Sequence, residues 1–195
     1  MSAMAKKNEF RPDKSGNSLL NRLHLTQQQR KKLLKWVCYA LVLTLLSVLQ
    51  DVILTRFRVN GATTDMVPCG IFLICLAEGT ESGSIFALIS SLLYLFSGTA
   101  PGPYAMVFIT FLAVVTTAFR QGYLQKGFGA AMLCTAVSMV TYEMALFGLG
   151  LFLQLTTAQR VTGFLLTAAM TMILAPFIYV MVRSVSRIGG QEWTE

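Results

Sequence analysis

The chain has 195 residues, 54% of them hydrophobic and only 13% charged, with a mean hydropathy of +0.60. A water-soluble domain carries about 25% charged residues, so these values exclude an ordinary soluble protein and call for several membrane helices of about 20 apolar residues each. The formal charge of +7 is concentrated at one end, with nine of the sixteen Lys and Arg before residue 36; that reads as a topology-setting, lipid-touching tail, not a nucleic-acid arm, since no aromatic interleaving or known motif accompanies it.

In chain order, residues 1–35 form a basic cytoplasmic tail. Residues 1–17 are polar and expected to be disordered. Thr26 with Gln29 has the spacing of a capping box and should start a short amphipathic helix lying near the inner leaflet. The first apolar run begins only at Trp36, too late for a cleavable signal, so the first span is expected to stay as a signal anchor.

The hydropathy pattern predicts an all-α polytopic bundle over 36–183, with six transmembrane helices at 36–55, 66–77, 84–97, 104–120, 129–153 and 162–182 and a short tail at 184–195. The second and third are short, rising only about 18–21 Å as helices. The polar run Glu78-Gly79-Thr80-Glu81-Ser82-Gly83 separates them. They are either two short spans or a re-entrant hairpin; both return the chain to the same face. With both termini inside, the inner segments hold thirteen Lys and Arg and the outer loops three, Arg56, Arg58 and Arg160. That asymmetry favours cytoplasmic termini and a multi-pass protein of the bacterial cytoplasmic membrane.

Candidate functional residues fall at four places. At the outer end of the first span, Ser47, Gln50, Asp51 and Thr55 make a polar stripe. Asp51 there forms either an interfacial ion pair with Arg56 or Arg58 or a contact for an extracytoplasmic partner. Gly98-Thr99-Ala100-Pro101-Gly102-Pro103 is a rigid outer turn, with Gly98, Gly102 and two prolines setting its shape. Glu143 is the lone charge in 129–153. A carboxylate at that depth costs on the order of 2.5–3.5 kcal/mol and faces a partner, a cavity or another helix. Tyr142 adds a polar tip, and Ala136 and Gly150 let another helix approach. Glu143 is then either a contact or gating group, or a neutral carboxyl hydrogen-bonded within the bundle. In the last span Gly163, Thr167, Thr171 and Ala175 recur every four residues, a face of small side chains expected to bury against another helix, with Pro176 bending the end.

The four cysteines lie in apolar segments and read as small buried residues. The one histidine, His24, lies in the tail, so no His-ligated metal site is expected, nor any cofactor. No paired carboxylate with His, phosphate-cradling Gly loop, or Ser–His or Cys–His pair is present. An enzyme is not expected.

From Leu49 onward the sequence resembles the rod-shape-determining protein MreD family. The likeness is carried by Leu49-Gln50 followed by Asp65-Met66-Val67-Pro68, by Ser97 to Ala105 around the Gly-containing turn, and by Tyr142-Glu143. It departs at Ser90 and Tyr94, where the family commonly has Gly and Asp. The resemblance implies a non-catalytic membrane subunit of the cell-wall elongation complex that helps organise peptidoglycan synthesis. Implied partners are an MreC-like bitopic protein, a RodA-like glycosyltransferase with a class B penicillin-binding protein, and MreB. The implied fold is similar to the S components of energy-coupling-factor transporters. Two other readings stand beside it. One is a vitamin-binding S component, for which Glu143, Tyr142, Gln50 and Asp51 are the pocket candidates and the Ala-rich docking motif is missing from 37–53. The other is an intramembrane enzyme using Glu143 or Asp51 as acid or base.

Overall fold

The computed structural model describes residues 27–52, 56, 61–123 and 127–189. Six α-helices account for most of them: α1 Gln27–Val52, α2 Met66–Glu78, α3 Thr80–Phe96, α4 Pro103–Tyr123, α5 Phe128–Phe152 and α6 Val161–Ser186. Short 3-10 turns, Ala158–Arg160 and Arg187–Gly189, flank α6. Four helices are long and apolar enough to cross a membrane, and α2 and α3 are shorter apolar helices.

The organising element is α2. Its sequence is apolar on every side, as a core helix or a membrane span requires, and all residues from Met66 to Leu76 are buried. It packs against α1, α3, α4, α5 and α6. The surrounding helices each bury one face against it and turn the other outward. On α1 the outward stripe is Val37, Leu41, Leu45, Val48 and Val52; on α4 it is Val107, Phe111, Val115 and Phe119. Apolar residues exposed at helical spacing on long helices are what a lipid-facing surface requires.

Three sequence expectations change. The amphipathic helix and the first span are one helix, α1, because nothing between Gln29 and Trp36 breaks it (no Gly and no Pro). Thr26, the proposed cap, lies outside the described residues, as do residues 1–17 and Thr55. The polar run at 78–83, left open between helices extending into it and a re-entrant hairpin, is almost wholly helical: Gly79 alone connects α2 to α3. Gly79 has φ of +90°, a conformation open to glycine. Thr80 to Gly83 form the first turn of α3, where Glu81 complements the helix N-terminus. Gly83 lets the two helices close, since a Cβ there would lie 3.0 Å from the Cys75 backbone. Finally, Lys35 is not part of a solvated tail but is buried in α1, 5% exposed.

The bundle has two distinct ends. One, the basic end, carries Lys35, Arg120, Arg183 and Arg187. The other, the turn end, carries the α3–α4 and α5–α6 turns. Gly98 in the former has φ of +76°, and Pro103 occupies the first position of α4, where its missing N–H is not needed. Helix α6 continues through Pro176 to Ser186.

Candidate functional site

A buried short helix poses a problem at each end. Its first N–H groups and last C=O groups have no intrahelical partner, and an unsatisfied backbone group away from water is costly. Neighbouring helices solve both ends of α2 with side chains, and those side chains define the two polar clusters of the molecule.

At the turn end, Asp65 is the N-cap of α2 but its side chain makes no cap bond. Gln50 of α1 does that work: its Oε1 accepts from the N–H of Met66 at 2.7 Å and of Val67 at 3.2 Å. The N–H of Asp65 donates to Thr171 Oγ1 of α6 at 2.9 Å, while Thr171 Oγ1 donates to Thr167 O within α6. Pro68 needs no partner. The Asp65 carboxylate then accepts from Gln50 Nε2 at 3.3 Å and from Tyr94 Oη of α3 at 2.9 Å, both on Oδ1. Three helices thus meet through one carboxylate and one carboxamide, and α6 joins them through the Asp65 backbone N–H.

Above this cluster lies a cavity of about 630 Å³, bounded in its depth by Gln50, Asp65, Tyr94, Glu143 and Thr167. Thr99, Pro101, Gln159 and Arg160, from the two turns, stand at its mouth. Glu143 lies nine positions before the end of α5, which places it roughly 13 Å below that end. Glu143 is 3% exposed and has no hydrogen-bond partner among the described residues.

At the basic end, the α2 C-terminus is held by Arg120, whose Nη1 donates to Leu76 O at 2.6 Å; a cation there also complements the helix dipole. The Glu78 carboxylate pairs with Lys35 Nζ at 2.6 Å, both side chains 7% exposed, and accepts from Tyr39 Oη at 2.6 Å. Trp36, Tyr39 and Phe86 pack their rings around this pair. Thr80 Oγ1 donates to Gln121 Oε1 at 2.9 Å across α3 and α4.

The residues singled out in the sequence divide accordingly. Gln50 and Glu143 reach the cavity. Asp51 is partly exposed beside Gln50; of its two suggested partners, Arg56 is exposed and Arg58 lies outside the described residues. Tyr142 parts company with Glu143: it is fully buried, its ring meets Phe72 of α2 edge-on, and its hydroxyl has no hydrogen bond among the described residues. Gly98 and Gly102 shape the α3–α4 turn; a Cβ on Gly102 would strike the Tyr104 ring at 2.6 Å. The small-residue face of α6 splits. Thr171 and Ala175 are fully buried, as expected of a packing face, but Gly163 and Thr167 border the cavity instead. Cys69, Cys75 and Cys134 are buried and Cys38 is partly exposed; all four are free.

Sequence reasoning missed Asp65 and Tyr94 as site residues, and Lys35, Tyr39 and Glu78 as a cluster. Asp65 did carry a signal: an acidic residue directly before an all-apolar run that is too short to span alone must sit at the sunken end of a helix. Tyr94 and Tyr39 carried none, being single aromatic residues in apolar segments.

Comparison of the chain with protein-family models, curated proteins and solved structures finds no match.

Proposed function

We propose that the chain is a non-catalytic, multi-pass subunit of the bacterial cell-wall elongation complex, similar to the MreD family. One observation carries this reading. The three stretches on which the family likeness rests are far apart in sequence, yet Gln50 and Asp65, Thr99 and Pro101, and Glu143 all border one cavity. Motif residues that converge on one place are better explained by a shared role than by separate packing demands. The departure at Tyr94 fits the same view, because its hydroxyl binds Asp65 and a carboxylate therefore remains in the site.

In this reading six helices cross the cytoplasmic membrane in an arrangement similar to transporter S components, with both termini inside. The turn end faces outward and holds an MreC-like protein, with the RodA-like glycosyltransferase and class B penicillin-binding protein alongside. The basic end meets MreB and anionic lipid. The test is affinity purification of the tagged chain from native membranes in mild detergent, followed by mass spectrometry. Recovery of the MreC-like protein with wall-synthesis enzymes supports the reading. A Glu143→Gln chain that assembles as well as wild type would remove the ionised carboxylate from it.

A second reading, a vitamin-binding S component of an energy-coupling-factor transporter, is favoured by the cavity itself. Its polar lining and depth are what a small-molecule site needs. Co-purification of ATPase subunits with a membrane coupling protein would select it.

A further inference from the structure

The cavity contains groups without partners. Glu143 is 3% exposed and unbonded among the described residues, and Thr64, 5% exposed, has a buried Oγ1 with no hydrogen bond; both border the cavity. Buried polar groups are almost always paired, so an orphaned Thr64 Oγ1 on the same cavity wall as a Glu143 carboxyl that no described residue bonds points to something that enters it. Asp65 adds a third opportunity, since both of its bonds fall on Oδ1 and leave Oδ2 available. The depth of the cavity is therefore acidic and rich in acceptors. No cation among the described residues lies there; the single one in the lining, Arg160, is exposed at the mouth.

We propose that the cavity binds a small amphoteric molecule on the scale of a tripeptide, its ammonium group held by Asp65 and Glu143 and its anionic end by Arg160. An ammonium supplies three donors, enough to serve both carboxylates and the Thr64 hydroxyl, and charge-assisted bonds to carboxylates are the strong class. A wholly anionic molecule meets two carboxylates, buried Glu143 and partly exposed Asp65, and a plain dication meets Arg160 at the mouth. The length also agrees. Arg160 precedes α6 and Thr171, at the level of the Asp65 N–H, lies eleven positions on, about 16 Å along the axis. Side chains reaching from both ends shorten that gap toward the roughly 10 Å that an extended tripeptide covers. A volume of about 630 Å³ suits such a molecule. The inference stands whether the chain serves as a scaffold or as a transporter subunit.

The test uses the full chain purified in detergent, with trialanine as the probe and thermal stability and isothermal calorimetry as readouts. Trialanine is expected to bind saturably and raise the melting temperature. N-acetyl-trialanine, which lacks the ammonium, should bind at least about tenfold more weakly, and trialanine amide, which lacks the carboxylate, should also weaken. Glu143→Gln should lower trialanine affinity by about tenfold or more. Arg160→Gln, at an exposed position, should abolish the difference between trialanine and its amide. The proposal is overturned if N-acetyl-trialanine binds as well as trialanine, if Arg160→Gln leaves the acid–amide difference intact, or if the wild-type chain binds no trialanine up to about 5 mM.

Discussion

Removing Gln50 tests the account of α2 most directly. Gln50→Ala strips acceptors from the N–H groups of Met66 and Val67 and a donor from Asp65. A buried donor left unsatisfied costs about 1–3 kcal/mol, so two of them give about 2–6 kcal/mol. The cavity adjoins the site, and water entering there can bind one of the freed groups, which places the expected loss at the low end, about 2–3 kcal/mol. For a chain of this size each kcal/mol moves the melting temperature by about 2–4 °C, so the fall should be roughly 4–12 °C. The natural assay is a thiol-reactive dye on the detergent-solubilised chain, because Cys69, Cys75 and Cys134 are buried and report unfolding as they become accessible. Gln121→Ala is the matched control: it deletes an exposed bond to Thr80 and no backbone cap. If Gln50→Ala melts within about 1 °C of that control, neighbouring side chains do not cap α2 and the reasoning fails.

Other consequences follow at the remaining polar points. Breaking the Lys35–Glu78 pair from one side leaves a buried charge, so Lys35→Met should cost about 3–5 kcal/mol, whereas the double change Lys35→Met/Glu78→Met should recover most of it; a double variant no better than the single one in the same melting assay would contradict this. Gly79→Ala meets both a positive φ and the Gln121 side chain 2.6 Å from the new Cβ, and should cost about 1–2 kcal/mol. Adding Gln121→Ala relieves only the contact, so partial rescue of melting is expected.

Helices of this kind are legible in sequence because lipid demands a long apolar run, and long runs survive single-residue errors. All six helices appear where hydropathy puts them, four of them long enough to cross a membrane. Their ends were less legible for a physical reason: a polar residue such as Thr80 or Glu81 reads as loop, yet at a helix N-terminus it is welcome. Gln50 and Glu143 stood out because a polar group in an apolar segment has few bland explanations. The pairings did not. Which donors Gln50 serves depends on the sunken start of α2, and the Lys35–Glu78 pair joins residues 43 positions apart whose neighbours are all different in character. The small-residue face on α6 was visible as a pattern, but only packing decides that its Thr171–Ala175 half meets the core and its Gly163–Thr167 half meets a cavity.

The cavity and the caps are consequences of one fact, the shortness of α2. Thirteen residues rise about 20 Å, well short of the roughly 30 Å of a hydrocarbon core, so the space above Asp65 has to be filled, closed or left open. It is left open and lined with polar groups. A bare helix N-terminus at such a floor would favour an anion. Here Gln50 and Thr171 already occupy the free N–H groups, and Asp65 and Glu143 place two carboxylates around them. The sign of the site is thereby reversed from the one that helix geometry alone would give. That reversal separates the possible occupants: a molecule that brings an ammonium finds complementary charge, and one that brings only phosphate or carboxylate to that depth finds none.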